Sequence, residues 1–159
     1  MAEPDKIVCT AAPLDPQTEH RLMRDKVAGD GAIVSFTGIA RPDTQDDKQV
    51  RSLRLEHYPG FTEASIAKGV AKVRACWSIG QCHIVHRVGD MVPGDPIVFV
   101  ATSARHRRAA FEATDFLMDW LKTEAAFWKC EITANGTKWI EPRAEDIQDR
   151  ERWEYKANG

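Results

Sequence analysis

His106, Arg107 and Arg108 stand together where a helix is predicted to begin, Lys122 stands near its end, and Lys129 follows seven residues later beside Trp128. A helix N-terminus already carries partial positive charge from unpaired backbone N–H groups, so three further bases there repel unless an anion binds. A phosphate or carboxylate suits the guanidinium fork of Arg107 together with those N–H groups. The competing reading is a solvated basic face. Lys122 and Lys129 offer amines for proton transfer or for stabilising an oxyanion, because burial lowers a lysine's basicity. Taken singly, each reads first as an exposed lysine.

Other reactive side chains carry weaker signals. In a strand, Lys129 and Glu131 share one face and Trp128 and Cys130 the other, so an aromatic core side turns the lysine side outward or into a cleft. Cys76, Cys82, His83 and His86 lack paired metal-ligand spacing, and His83 and His86 fall on opposite strand faces, which argues against zinc. Cys130 has no histidine close in sequence and reads as a structural thiol rather than a nucleophile. His57 shares a face with Leu53 and Leu55 and reads as a core histidine. No glycine-rich phosphate loop of either common kind is present, so nucleotide-dependent chemistry is unsupported. No metal and no cofactor is expected.

The composition bounds the partners. At 159 residues, 43% hydrophobic and 29% charged, the chain fits one folded domain. A formal net charge of −2 argues against general nucleic-acid binding and makes any positive site local, a pocket rather than a patch. Four cysteines without a secretory signal point to reduced thiols in the cytoplasm. No apolar run approaches the ~18 residues of a membrane span.

These groups need a scaffold. Lys6–Ala11 reads as a strand, Asp15-Pro16 as a helix start with the helix reaching about Val27, and Ala32–Ile39 as a substantially buried strand that leaves Arg41 just past its end. Pro42–Gln49 reads as a mobile loop able to cover a site, and Val50–Tyr58 as a half-buried strand stopped by Pro59-Gly60. Thr62 is placed as the cap of a helix running to about Trp77, with Ile66, Val70, Val73 and Trp77 on its apolar face. Ile79–Val88 and Pro96–Ser103 read as strands, the second central. The helix from about Arg105 to Glu124 buries Ala110, Thr114, Leu117 and Leu121. Phe127–Thr133 and Thr137–Glu141 form a hairpin about Asn135-Gly136. The mixture of hairpin and crossover connections favours an α+β fold. Residues 1–143 are taken as a single domain and 144–159 as a charged C-terminal tail, anchored by Trp153 and Tyr155, that packs loosely or docks on a partner.

Several phrases in order, GAIVSFTGIAR (31–41), LEHYPGFTE (55–63), HRVG (86–89), GDPIVFV (94–100), HRRAAFEA (106–113) and MDWLKTEAAFWKCE (118–131), resemble the catalytic (large) subunit of molybdopterin synthase. The resemblance implies an α/β hammerhead domain with an additional antiparallel β subdomain, and a homodimer within a heterotetramer. It implies a small ubiquitin-like partner subunit whose C-terminus carries a thiocarboxylate, and transfer of its sulfur to cyclic pyranopterin monophosphate to form the molybdopterin dithiolene. By the same resemblance Lys122 and Lys129 are catalytic, and Arg41, His106 and Arg107 bind substrate. Ile39, Ala40, Cys130 and Glu131 line the same pocket, the apolar ones through backbone, and Arg143 reaches toward the neighbouring site. Two departures from the family stand out: alanine at 126 where proline is usual, implying a less rigid turn, and alanine at 104 where serine is usual, implying a weaker helix cap.

Helix geometry adds a constraint. His106 and Lys122 are sixteen positions apart, and at ~1.5 Å rise per residue an unbroken helix separates them by roughly 24 Å, too far for one small pocket. His106 and Arg107 of one protomer are therefore expected to complete the pocket that holds Lys122 and Lys129 of the other. A non-catalytic anion-binding scaffold is the main alternative function, and an RNA-binding α+β domain a third, which the negative net charge disfavours.

Overall fold

Asp15 starts the first helix in the way its position predicts: its carboxylate accepts from the Gln17 N–H at 3.1 Å and from the Thr18 hydroxyl at 2.6 Å, with Pro16 in the first turn. The computed structural model describes residues 5–43 and 49–157. In chain order these form β1 (Lys6–Thr10), α1 (Pro16–Lys26), β2 (Ala32–Ile39), β3 (Val50–His57), α2 (Phe61–Cys76), β4 (Cys82–Arg87), β5 (Gly89–Met91), β6 (Pro96–Ala104), α3 (Arg107–Thr123), β7 (Phe127–Thr133), β8 (Gly136–Ile140) and α4 (Ala144–Ala157). Residues 44–48 of the expected cover loop lie outside the described residues.

Two four-stranded sheets carry the architecture. The first has the order β1-β4-β6-β2, with β1 parallel to β4 and the remaining pairs antiparallel; β6, the apolar IVFVA segment, is central as expected. The second is antiparallel, in the order β5-β3-β7-β8. The α+β class and the additional antiparallel sheet agree with the expectation. One face of the first sheet packs Val85, Phe99 and Ala101 against Leu14 and Met23 beside α1. The other packs Ile84, Val98 and Val100 against Ile66, Val70 and Val73 of α2 and Ala113, Phe116, Leu117 and Trp120 of α3. Burial of these side chains from water is the main force holding the layers together, each large aliphatic contributing about 1.5–3 kcal/mol.

Helices α2 and α3 meet at Gly69 and Trp120. A Cβ added at Gly69 would stand 2.6 Å from the Trp120 ring, so only glycine admits the indole there, and the Trp120 Nε1–H donates to the Ser65 carbonyl at 2.8 Å.

Three local expectations need correction. Thr62 does not cap α2: Gly60 holds the cap position with φ 84°, its N–H donating to the Glu63 carboxylate at 2.7 Å, while Thr62 is fully buried and bonded elsewhere. The β7–β8 turn has Ala134 and Asn135 at its tip, with Gly136 (φ 118°) already paired with Thr133, one residue from the expected register. Finally, residues 144–157 are a helix rather than a loose tail. Trp153 is buried against Trp77 and Phe116, its Nε1–H donates to Asp119 at 2.6 Å, and Arg152 reaches Asp115 at 2.7 Å and Asp119 at 3.0 Å. A single buried indole with a partner for its N–H fixes a segment whose charge pattern alone reads as solvated.

Candidate active site

Lys129 stands on β7 opposite Leu55 of β3, and Glu131 stands opposite Leu53. Directly paired residues project to one side of a sheet, so the lysine side is the interior side of the second sheet, shared with the buried Leu53, Leu55 and Met91. Trp128 lies on the other side and is 50% exposed. The aromatic side is therefore the outer one, because the two leucines of β3 fix the register and carry Lys129 inward with them.

Partial burial holds the Lys129 ammonium below the usual lysine range. The charges of Lys122, Arg41 and Arg143 press the same way, and Glu131, 4.0 Å from the amine, opposes them. Cations from the end of β2, the last turn of α3, the middle of β7 and the residue before α4 thus act on one another. Like charges gathered this way repel unless an anion offsets them, and a lysine so placed releases its proton more readily than a free one.

Two of these cations, Arg41 and Arg143, stand on backbone held by local bonds. The Ala40 N–H donates to the Asp95 carbonyl at 2.9 Å, and the Gly94 N–H donates to the Ala40 carbonyl at 2.8 Å. Asp95 is held in turn by the Val92 N–H at 3.0 Å and by Arg87 at 3.5 Å. The β5–β6 turn, with Gly94 at φ 95°, thereby aims Arg41. Arg143 donates through its backbone N–H to Asp146 at 3.2 Å, tying it to the first turn of α4.

His86 lies under this group. Its ring stacks on Phe127 at 4.1 Å, and its Nδ1 lies 2.8 Å from the Arg87 carbonyl, which assigns the proton to Nδ1. Burial pushes its pKa down to about 4, with the Lys122 and His57 charges adding to the effect and the Arg87 carbonyl opposing it. The unfolded chain therefore takes up a proton first as the pH falls below about 6.5, so this contribution to stability is present above that pH and is lost between about 6.5 and 4. His83, also buried and held below its ordinary range, works in the same direction. His86→Phe keeps the ring contact without the titration. Urea unfolding at pH 7 and pH 4.5 should show a wild-type loss exceeding that of the variant by about 3 kcal/mol at most; parallel losses would refute the assignment.

The remaining expected site residues divide. Ile39 ends β2 and is 56% exposed, while Ala40 is buried with both backbone groups engaged as above. The Cys130 side chain is buried on the sheet face opposite Lys129, across from Arg54 and Trp139, so only its backbone borders the amine. His106 and Arg107 lie at the far end of α3, both exposed. His106 is the N-cap, makes no side-chain cap bond, and no acidic residue occupies the first turn. The unbroken helix keeps this second basic group roughly 24 Å from Lys122. One chain brings together Arg41, Lys122, Lys129, Glu131 and Arg143, and not His106 or Arg107.

Comparison with known proteins adds to this geometry. The sequence model of the MoaE protein family matches residues 9–124. The molybdopterin synthase catalytic subunit of Salmonella typhimurium is 46% identical over 150 residues, 93% of this chain and 97% of its own length. That of Escherichia coli K12 is 44% identical over 153 residues, covering 96% of this chain and 100% of its own. The chain belongs to the MoaE family of molybdopterin synthase catalytic subunits. A solved MoaE protein from Burkholderia ambifaria shares the fold with a TM-score of 0.79 at 40% identity, over 94% of this chain and 98% of that one.

The alanines at 126 and 104, noted above as departures that the resemblance implies, each have a structural reading. Ala126 keeps a backbone N–H that proline would lack, and it donates to the Ser65 hydroxyl at 3.1 Å, so the turn is tied rather than loose. Ala104 ends β6, its carbonyl accepting from the Gly31 N–H at 3.1 Å, two residues before the position that caps α3. Sequence reasoning missed the part His86 plays beneath the lysines and the use of Thr62 and Ser65. The HRVG and LEHYPGFTE phrases contain or adjoin these residues, but types and spacing assign them no role.

Proposed function

We propose that this chain is the sulfur-transferring subunit of a molybdopterin synthase. In this reading the C-terminal thiocarboxylate of a small ubiquitin-like partner subunit supplies sulfur to cyclic pyranopterin monophosphate, giving the dithiolene of molybdopterin. The work takes place in the cytoplasm, in a homodimer within a heterotetramer. Membership of the MoaE family supports the reaction class. The observation that carries the site is the convergence of Lys122, Arg41 and Arg143 on a Lys129 whose basicity burial lowers.

The roles follow from chemistry. Arg41 and Arg143, joined by His106 and Arg107 of a second protomer, hold the cyclic phosphate and the pterin. Each thiocarboxylate sulfur attacks a substrate carbon and displaces an oxygen there, as water from a carbonyl or as an oxygen of the cyclic phosphate, and a lysine stabilises the negative charge on that oxygen; two thiocarboxylated partners supply the two sulfurs. Water then cleaves the acyl–sulfur bond, leaving sulfur on the pterin and a carboxylate on the partner. Cys130, buried and on the other sheet face, takes no part as a nucleophile.

Purified chain incubated with thiocarboxylated partner and cyclic pyranopterin monophosphate tests this. Formation of dithiolene product is the expected result. Binding of both without product would leave only an anion-binding scaffold.

A further inference from the structure

The two amines are joined by a short segment: Lys122 lies in the last turn of α3 and Lys129 is the third residue of β7, so the link Glu124–Ala126 sets their mutual placement. That link is fastened from outside. The Thr62 hydroxyl donates to the Ala126 carbonyl at 2.7 Å, and the Ala126 N–H donates to the Ser65 hydroxyl at 3.1 Å, so α2 holds both backbone groups of one residue. Thr62 is fully buried, and its oxygen also accepts from the Tyr58 N–H at 2.9 Å; the Ser65 hydroxyl donates to the Thr62 carbonyl at 2.7 Å. Helix α2 is itself fixed to α3, since the Ser65 carbonyl takes the Trp120 Nε1–H at 2.8 Å and Gly69 admits the indole. Within the link, the Phe127 N–H closes on the Ala125 carbonyl at 2.9 Å, and the Glu124 and Ala125 N–H groups both return to Trp120. Among the described residues, only the two hydroxyls tie Ala126 to a separate element.

We propose that Thr62 and Ser65 are positioning residues of the active site, their hydroxyls clamping Ala126 so that Lys122 and Lys129 present their amines to one substrate. This rests on the reading of the two lysines as catalytic. A buried hydroxyl lost from such a clamp leaves a carbonyl or an N–H unsatisfied, and the turn shifts to find water or another partner. A displacement of about 1 Å at reacting groups costs on the order of 10²-fold in rate without weakening binding elsewhere in the site.

Thr62→Val keeps the shape and removes the hydroxyl; Thr62→Ser restores it. The expected result, in the enzyme assembled with its thiocarboxylated partner, is a kcat reduced about 10- to 100-fold for Thr62→Val with KM within about threefold, and near-normal kcat for Thr62→Ser. Ser65→Ala serves in the same assay if Thr62→Val does not fold. A second readout is independent of turnover: the titration of Lys129, followed by NMR on isotopically labelled lysine, moves to higher pH when the amines separate. A folded Thr62→Val enzyme with normal kcat and an unmoved Lys129 titration overturns the clamp. If Lys122→Ala and Lys129→Ala retain full kcat, the lysine roles fall, and the clamp stands or falls on the titration alone.

Discussion

Replacing Lys129 with alanine is expected to lower turnover by about 10²- to 10⁴-fold while KM changes little, the range typical of losing one acid–base or charge-stabilising group. Burial and three neighbouring cations lower the basicity of this amine, which makes its proton easier to give up and sets its charge where negative charge appears only as the sulfur attacks. Interactions made only in the transition state show in kcat rather than KM. Lys122→Ala should behave in the same way, since its charge acts on both Lys129 and His86. Loss of fold is a poor rival explanation, because removing one of several like charges relieves repulsion. Steady-state kinetics with separate kcat and KM values checks the prediction. An unchanged rate in either variant would remove that lysine from the chemistry, and a raised KM with normal kcat would make it a binding group.

His106→Ala combined with Arg107→Ala should produce the opposite signature. Each charge-assisted hydrogen bond to a phosphate is worth about 1.5–3 kcal/mol, so losing two is expected to weaken substrate binding by at least about 100-fold. The helix itself should persist, because His106 makes no side-chain cap bond and both side chains are exposed. Titration of the substrate into the assembled enzyme, at low and at high salt, provides the check. Unchanged affinity would mean that the basic start of α3 is a solvated face.

How much of this was legible in the sequence varies with the physics of each element. Strands such as β6 and helices such as α3 follow from apolar periodicity, because a face that is apolar at regular spacing has few ways to leave water. The lysine side of β7 was not decidable from its own residues: its direction depends on pairing with Leu53 and Leu55, a contact more than seventy positions away in the chain. The helical state of residues 144–157 was hidden for a similar reason, since its anchor is the pairing of Trp153 with Asp119. Thr62 reads locally as a helix cap, and only the fold reveals Ala126 as its partner. The phrases that carry the resemblance were recognisable as a family pattern, whereas the grouping of Arg41, Lys122 and Arg143 around Lys129 required the two sheets to be in place.

The central claim, that each site draws cations from two copies of the chain, is tested most directly by mixing two disabled proteins. One carries His106→Ala and Arg107→Ala, the other Lys122→Ala and Lys129→Ala. If the site is shared across a two-fold interface, random reassembly gives mixed dimers with one intact site each, and activity returns to about a quarter of the wild-type value. If all these residues serve a site within one chain, no mixed dimer contains an intact site, and a mixture confirmed to exchange subunits would remain inactive.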